Sequence, residues 1–210
     1  MTFEELNQRP KSFYWIYPPL RFLVYLILLI FGPCRGIGSK AMPRRGGVLL
    51  FANHLSDIDP IIVHCFSPRP IYFMSKSELF EIKVLGPMIR YFRAFPVKRG
   101  EPDKAAIKTA VDLLKSGHVV CIFPEGKLSE DGKLQPLLPG VSLIARMAGV
   151  PVMCCGLKNT HRIMPYGLSI PRPALRWVTA HFGEPRIFTK ADSGDEILAW
   201  ATTELKNLVS

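Results

Sequence analysis

Short runs of β-branched and apolar residues alternate with helical stretches along most of this 210-residue chain. The predicted strands cover residues 48–52, 71–74, 94–97, 119–123, 152–156 and 177–182. The clearest predicted helices cover residues 103–116, 141–148 and 193–208. Parallel strands need a long crossover between them, and a helix is the usual crossover. The alternation therefore predicts an α/β fold in which helices flank a mostly parallel central sheet.

A separate apolar stretch precedes this pattern. Residues 13–31 carry a single charge, Arg21. Because Pro18 and Pro19 favour a late helix start, we expect about 12 helical residues, or roughly 18 Å, which is short of a ~30 Å hydrocarbon core. We therefore predict an N-terminal hydrophobic membrane anchor that lies in the interface or re-enters it. The predicted division is a membrane-associating segment at 1–45 and a catalytic domain at 46–210.

The charge distribution supports the same division. The chain has a net charge of +10, and its first 45 residues hold seven basic and two acidic residues, half of the excess. With 48% hydrophobic residues the chain is too apolar for a disordered protein. Basic residues beside an apolar run favour anionic lipid headgroups over nucleic acid, and their bias predicts a domain that faces the cytoplasm.

Polar segments follow three of the predicted strands, at residues 53–60, 98–100 and 124–126. Parallel sheets place ligand sites beyond the carboxyl ends of their strands, so these segments are candidates for one site. His54 and Asp59 lie in the first of them. A carboxylate that holds one imidazole nitrogen leaves the other free to act as a general base. A surface histidine beside a capping aspartate remains the alternative.

Cations and a glycine follow the other two strands. Lys98 and Arg99 come directly after one strand, and Glu125, Gly126 and Lys127 come shortly after another. Cations beside a glycine suit the binding of a phosphate. Taken singly, these residues are also typical of a solvated surface loop, so it is their joint order that favours a site.

Four blocks in this order resemble a known family. They are Asn53-His54 with Asp59-Pro60, then Phe95-Pro96-Val97-Lys98-Arg99, then Phe123-Pro124-Glu125-Gly126, and Val150-Pro151-Val152. They resemble the membrane-associated glycerolipid acyltransferases typified by 1-acyl-sn-glycerol-3-phosphate acyltransferase. The resemblance spans residues 34–185.

The resemblance implies an O-acyltransferase of phospholipid biosynthesis. It would move an acyl group from acyl-CoA or acyl-carrier protein to the free hydroxyl of a lysophospholipid at a membrane surface. The implied acceptor is 1-acylglycerol-3-phosphate, and the product is phosphatidic acid. His54 would be the base, and Asp59 would orient it. The implied substrate-binding residues are Asn53, Lys98, Arg99, Glu125, Gly126 and Lys127. The resemblance implies no metal and no cofactor beyond the acyl donor.

Other functions stay open. The family commonly continues its Glu-Gly block with Thr-Arg-Ser, whereas this chain has Lys127-Leu128-Ser129. Glycerol-3-phosphate, or a lysolipid with another headgroup, is therefore an alternative acceptor. A second alternative is a metal-dependent phosphohydrolase that uses Asp57, Asp59 and His54. A third is a non-catalytic membrane or nucleic-acid binding protein, although the sequence has no stripe of interleaved basic and aromatic residues.

Overall fold

The computed structural model describes residues 12–98, 103–168 and 170–210. The strands of this part of the chain are β1 (Cys34–Ile37), β2 (Val48–Ala52), β3 (Ile71–Lys76), β4 (Ala94–Val97), β5 (Val119–Ile122), β6 (Pro151–Lys158), β7 (Val178–Phe182) and β8 (Arg186–Ile187). Its α-helices are α1 (Ser12–Phe31), α2 (Asp59–Phe66), α3 (Leu85–Tyr91), α4 (Lys104–Lys115), α5 (Gly140–Ala148), α6 (Thr160–Ile163) and α7 (Gly194–Val209). Short 3-10 turns lie at Ser39–Ala41 and Ser77–Glu81.

One sheet contains all of these strands, in the order β1-β7-β6-β2-β5-β3-β4, with β8 paired to β6. The five strands from β6 to β4 run parallel. Strand β7 is antiparallel to β6, and β1 is parallel to β7. The predicted α/β fold with a mostly parallel sheet is therefore confirmed.

All six predicted strands are present, with ends that shift by up to two residues. Strands β1 and β8 were not predicted. Three of the four residues of β1 are exposed, and both residues of β8 are. Because strands at a sheet margin bury little surface, they lack the apolar pattern from which strands are predicted.

The core lies in two layers, one on each face of the sheet. All five residues of β2 are buried. Val48, Leu50 and Ala52 pack with α1 and α2, whereas Leu49 and Phe51 pack with α4, α5 and α7. Successive side chains of a strand point to opposite faces, so a strand that is covered on both sides is apolar without a break.

The predicted helix ends are set by capping residues. The Asp103 side chain accepts a hydrogen bond from the main-chain N–H of Ala106 at the start of α4. Ser193 and Glu196 form a capping box at the start of α7, and Gly149 ends α5 with φ of 62°. Such caps satisfy main-chain groups that the helix leaves open, which is why they could be located from the sequence.

Helix α1 begins earlier than predicted, so the expectation that it starts only at the two prolines was wrong. It runs through Pro18 and Pro19, since their fixed φ is compatible with a helix even though each lacks an N–H donor. Its length is 20 residues, or about 30 Å at 1.5 Å per residue. Within the described residues, none of the helices combines the length and apolar character needed to cross a membrane.

Helix α1 packs on α2 along a narrow contact. Arg21 Nη1 donates a hydrogen bond to the Ser67 carbonyl at 2.6 Å, and the Tyr17 ring meets the His64 ring edge-on at 4.9 Å. Leu28 lies in the same apolar cluster as β2. Part of the predicted 1–45 segment thus packs against the domain, and the boundary at residue 46 stays a prediction.

Candidate active site

The polar segments predicted to form a site follow strands that end at one edge of the sheet. His54 follows β2, Glu125 follows the neighbouring strand β5, and Lys98 follows β4. We call this edge the catalytic edge. Strand β4 lies three strand spacings from β2, or about 14 Å. His54 and Glu125 are therefore close together, while Lys98 begins farther along the same edge.

His54 and Asp59 form a buried pair, with Nδ1 and Oδ2 at 3.0 Å. The same Oδ2 accepts the main-chain N–H groups of Leu55 at 2.6 Å and Ser56 at 2.8 Å. Because this oxygen already accepts two N–H groups, we assign Nδ1 of His54 as its third donor. The lone pair of Nε2 is then left to accept a proton from a substrate.

A second contact holds the plane of the imidazole. The rings of His54 and Phe123 are stacked, with centroids 3.9 Å apart and an angle of 15° between their planes. The carboxylate fixes one nitrogen and the phenyl ring covers one face. Together they restrict the direction in which Nε2 can point, as a positioned base requires.

Glu125 links the two neighbouring strand ends. Its Oε1 accepts the main-chain N–H of His54 and its Oε2 accepts that of Gln135, each at 2.7 Å. The main-chain N–H of Ser129 donates to the His54 carbonyl at 2.8 Å. Burial raises the pKa of Glu125, and the two main-chain hydrogen bonds oppose that shift. The carboxylate thus binds main-chain groups with both oxygens and shapes the site around His54.

Gly126 makes the turn that follows. It has φ of 72°, and a Cβ atom at this position would lie 2.5 Å from Cδ1 of Leu138. Side chains other than glycine rarely adopt this backbone conformation, and the close approach of Leu138 adds a steric reason. Glycine is therefore strongly favoured at the turn by which the loop that Glu125 holds closes over the strand end.

The predicted cations are exposed where the structure describes them. The side chains of Lys98 and Lys127 are both on the surface. The main-chain N–H of Lys98 donates to Asp103 Oδ2 at 2.9 Å, which ties the end of β4 to the cap of α4. Arg99, the predicted phosphate-binding residue, lies outside the described residues.

Asn53 has a different arrangement from the one predicted. The resemblance implied a substrate-binding residue, but Asn53 is buried and its amide binds the main chain of Leu157 at both ends. Nδ2 donates to the Leu157 carbonyl at 3.0 Å, and Oδ1 accepts the Leu157 N–H at 2.6 Å. These two bonds join the ends of β2 and β6, so they give the side chain a structural role.

The residues of the phosphohydrolase alternative do not converge. Asp57 is exposed, whereas Asp59 is fully buried and bound to His54. Across the described ranges, no three histidine, cysteine, aspartate or glutamate side chains are grouped so that they could hold a metal ion. Metal-dependent hydrolysis needs such a ligand group.

The sequence did not reveal an apolar cavity of about 390 Å³ beside the site. Its walls come from α1, α2 and α3 and from the ends of β3 and β4, with Val24, Ile61, Phe73 and Met88 among the lining residues. Phe73 stacks on Phe123, which in turn stacks on His54. Since the walls come from distant segments, no local pattern could have predicted the cavity.

A buried histidine also lines this cavity. Burial, with smaller contributions from the nearby cations of Arg93 and Arg21, lowers the pKa of His64 to about 3. His64 is therefore neutral at physiological pH. Arg21, Asp57 and Ser75 are further polar lining residues, and the rest of the wall is mostly apolar.

Comparison with known proteins gives consistent results. The family model described as Acyltransferase matches residues 35–158. A 1-acyl-sn-glycerol-3-phosphate acyltransferase of Bacillus subtilis is 35% identical over 130 residues, which are 61% of this chain and 64% of that protein. One of Streptococcus pneumoniae is 35% identical over 142 residues, 65% of this chain and 52% of that protein. The chain thus spans 64% and 52% of these two relatives.

A solved structure has the same fold. The crystal structure of the 1-acyl-sn-glycerophosphate (LPA) acyltransferase from Thermotoga maritima superposes with a TM-score of 0.80 at 24% sequence identity. The match covers 99% of this chain and 85% of that one. At this identity the likeness concerns the fold alone.

Proposed function

The chain belongs to the acyltransferase family, and from that premise we propose that it is an O-acyltransferase of phospholipid biosynthesis. It transfers an acyl group from acyl-CoA or acyl-carrier protein to the free hydroxyl of a lysophospholipid. The names of the relatives favour 1-acylglycerol-3-phosphate as acceptor and phosphatidic acid as product. The observation that carries the proposal is the buried His54–Asp59 pair at the catalytic edge.

The proposed reaction uses His54 as a general base. Nε2 takes the proton of the acceptor hydroxyl while the hydroxyl oxygen attacks the carbonyl carbon of the thioester. The carbon–sulfur bond then breaks, and the leaving thiolate receives the proton from Nε2. Asp59 stabilises the imidazolium that exists between these two transfers. The thioester is a co-substrate, so the proposal includes no resident cofactor and no metal.

The acceptor phosphate is proposed to bind cations beyond β4 and β5. Arg99 is the principal proposed ligand, and Lys98 and Lys127 assist it. Lys98 and Lys127 have exposed side chains at the catalytic edge, where a dianionic headgroup is attracted from solution. Glu125 and Gly126 are proposed to shape the acceptor pocket through the loop they hold. Glycerol-3-phosphate and lysolipids with other headgroups would use the same cations.

We assign the acyl chain to the apolar cavity. Most of its lining residues are aliphatic or aromatic, and burying an alkyl chain stabilises the complex in proportion to the surface that is removed from water. Phe73 belongs both to this wall and to the aromatic stack that ends at His54. A chain bound there would lie close to the proposed base.

Helix α1 is proposed to attach the protein to a membrane surface. Its exposed large apolar side chains are Trp15, Ile16, Phe22, Leu23, Leu26, Ile27, Leu29 and Ile30. A helix with such a face lies in the interface with its apolar side among the acyl chains. With basic residues after the helix, the domain is proposed to face the cytoplasm. No nucleic-acid partner is proposed.

The test measures acyl transfer by the purified protein in detergent. Labelled acyl-CoA and acyl-carrier protein are each supplied with glycerol-3-phosphate and a panel of lysolipids. We expect His54→Ala to lower turnover by about 10²- to 10⁴-fold, the usual contribution of a general base. The matched control is His181→Gln, which changes a histidine in β7.

Equal turnover by the wild type and His54→Ala would remove the assigned base. A chelator should leave the rate unchanged. If it stopped the reaction and inorganic phosphate were the product, the phosphohydrolase alternative would replace this proposal.

A further inference from the structure

A second exposed apolar surface lies on the segment between α6 and β7. Tyr166, Leu168, Ile170, Leu175 and Trp177 are between 50% and 96% exposed. We call these five residues, together with Arg172 and Arg176, the 166–177 patch. Single exposed apolar residues are normal on a protein surface, but such a dense group is typical of an interaction site.

The charges of the patch are all positive. Arg172 and Arg176 are exposed, and the guanidinium of the neighbouring Arg35 lies 5.4 Å from the ring centroid of Trp177. In the sequence, residues 132–183 contain six basic and no acidic residues, and residues 6–56 contain seven basic and none acidic. The rest of the chain has 14 basic and 17 acidic residues, so the whole positive excess belongs to these two stretches. Arg35, Arg172 and Arg176 lie at the patch itself, so an anionic partner fits it.

The patch is fixed beside the end of α1. The main-chain N–H of Ala174 donates to the Phe31 carbonyl at 2.5 Å, and that of Val178 donates to the Pro33 carbonyl at 2.8 Å. A Cβ atom on Gly32 would lie 2.7 Å from the carbonyl oxygen of Ala174. The exposed apolar face of α1 and the patch are thus held next to each other by main-chain contacts.

The segment between α6 and β7, which carries the patch, also begins at the catalytic edge. Strand β6 runs parallel to β2, and the segment follows β6 after the short helix α6. The hydroxyl of Ser56, between His54 and Asp59 in the chain, donates to the Met164 carbonyl at 2.6 Å. Whatever the patch binds is therefore held close to the proposed base.

We propose that the 166–177 patch is a second membrane contact that binds anionic lipid headgroups, in addition to α1. Tryptophan and tyrosine are favoured at the depth of the headgroups, and arginine binds lipid phosphates with paired hydrogen bonds. Two contacts on one side fix how the domain sits on the bilayer and present the catalytic edge to lysolipid within it. This inference rests on the membrane attachment in the proposed function.

The experiment compares two triple variants of the full chain. The patch variant carries Arg172→Gln, Leu175→Ser and Arg176→Gln, all at exposed positions. The control variant carries Lys115→Gln, Met147→Ser and Lys206→Gln, which are exposed on α4, α5 and α7 on the other face of the sheet. Co-sedimentation with vesicles of phosphatidylglycerol or of phosphatidylcholine gives the affinity. Acyl transfer to a lysolipid in detergent reports on the site.

We expect the patch variant to bind phosphatidylglycerol vesicles about tenfold more weakly than the wild type, since two cations near the surface are lost. The control variant should bind within about twofold of the wild type. Both should keep their turnover in detergent, since no catalytic contact changes. Trp177→Phe should also reduce the quenching of tryptophan fluorescence by brominated phosphatidylglycerol.

Three results would overturn the inference. The patch variant could bind phosphatidylglycerol vesicles as well as the control variant does. It could instead lose self-association or binding to a short DNA duplex while vesicle binding stays the same. If the wild type transfers acyl groups in detergent but does not bind vesicles, both proposed membrane contacts are wrong, while the proposed reaction is still supported. A wild type that binds vesicles through the patch without acyl transfer would reject only the proposed reaction.

Discussion

The catalytic edge and the side formed by α1 and the 166–177 patch are built in opposite ways. At the catalytic edge, His54, Asp59 and Glu125 are at most 6% exposed, and each accepts or donates hydrogen bonds at defined distances. On the surface formed by α1 and the patch, Trp15 and Leu175 are 82% and 96% exposed. Chemistry needs atoms held within fractions of an ångström, whereas binding to a fluid bilayer needs only area and charge. Single substitutions should therefore cause large losses of turnover at the catalytic edge, and only modest losses of membrane affinity on the surface formed by α1 and the patch.

After His54→Ala, the substitution expected to lower turnover most is Asp59→Asn. The amide oxygen of asparagine can still accept the three N–H groups that Oδ2 accepts, but a neutral amide cannot stabilise the imidazolium that forms on His54, so turnover should fall by about 10³-fold. Steady-state kinetics in detergent measure this effect. The control is Asp195→Asn, at an exposed carboxylate on α7, which should change turnover less than twofold. A loss of only a few-fold for Asp59→Asn would mean that another group orients His54.

A smaller loss is expected for Glu125→Gln. Both oxygens of Glu125 accept main-chain N–H groups, so the new amide NH₂ must face one donor, at a cost of about 1–3 kcal/mol. We expect a lower Tm and a 10- to 100-fold drop in turnover, since the loop beside His54 loosens. Glu130→Gln, at an exposed glutamate, is the control. Unchanged stability and turnover would show that the loop is held without the carboxylate.

His64 lies beneath α1 and connects the two regions, and its effect should depend on pH. Its folded pKa of about 3 is below the ordinary value of 6.5, so the unfolded chain binds the extra proton. The contribution to stability is complete above pH 6.5 and is lost as the pH falls towards 3, by roughly 1 kcal/mol per pH unit. Urea unfolding between pH 7 and 4.5 should show this slope.

His64→Gln should flatten the slope in that interval. If His64→Gln and the wild type lost stability in parallel, the acid sensitivity would come from other groups.

The smallest effects are expected on α1. Phe22→Ser changes an exposed side chain, so it should weaken vesicle binding about fivefold while leaving Tm and turnover in detergent unaltered. Leu28→Ser, on the same helix but buried in the core, should instead lower Tm by several degrees. Equal effects of the two substitutions on Tm would contradict the division between a packed and a free face of α1.

Much of the fold was predictable because its signals are local. Strand β2 is apolar without a break since both of its faces are covered, and α4 and α7 begin at capping residues within three positions of the groups they bind. His54 and Asp59 are five residues apart, so a single turn joins them. The late start predicted for α1 was wrong for a local reason, since a helix can run through Pro18 and Pro19. The main-chain contacts of Asn53 could not be predicted, because its partner Leu157 is 104 residues away.

Patterning and motifs were enough to predict the fold class, the strand ends that carry polar residues and the concentration of positive charge in two stretches. The order of the strands, which puts His54 beside Glu125 and about 14 Å from the end of β4, is visible only in the folded chain. The same holds for the hydrogen-bond partners of Asn53, for the apolar cavity and for the position of the 166–177 patch beside α1. The two groups of features differ in the sequence separation of the residues that produce them. Propensity, pleat and capping act over a few residues, whereas these features depend on segments that meet only when the sheet has formed and both of its faces are covered.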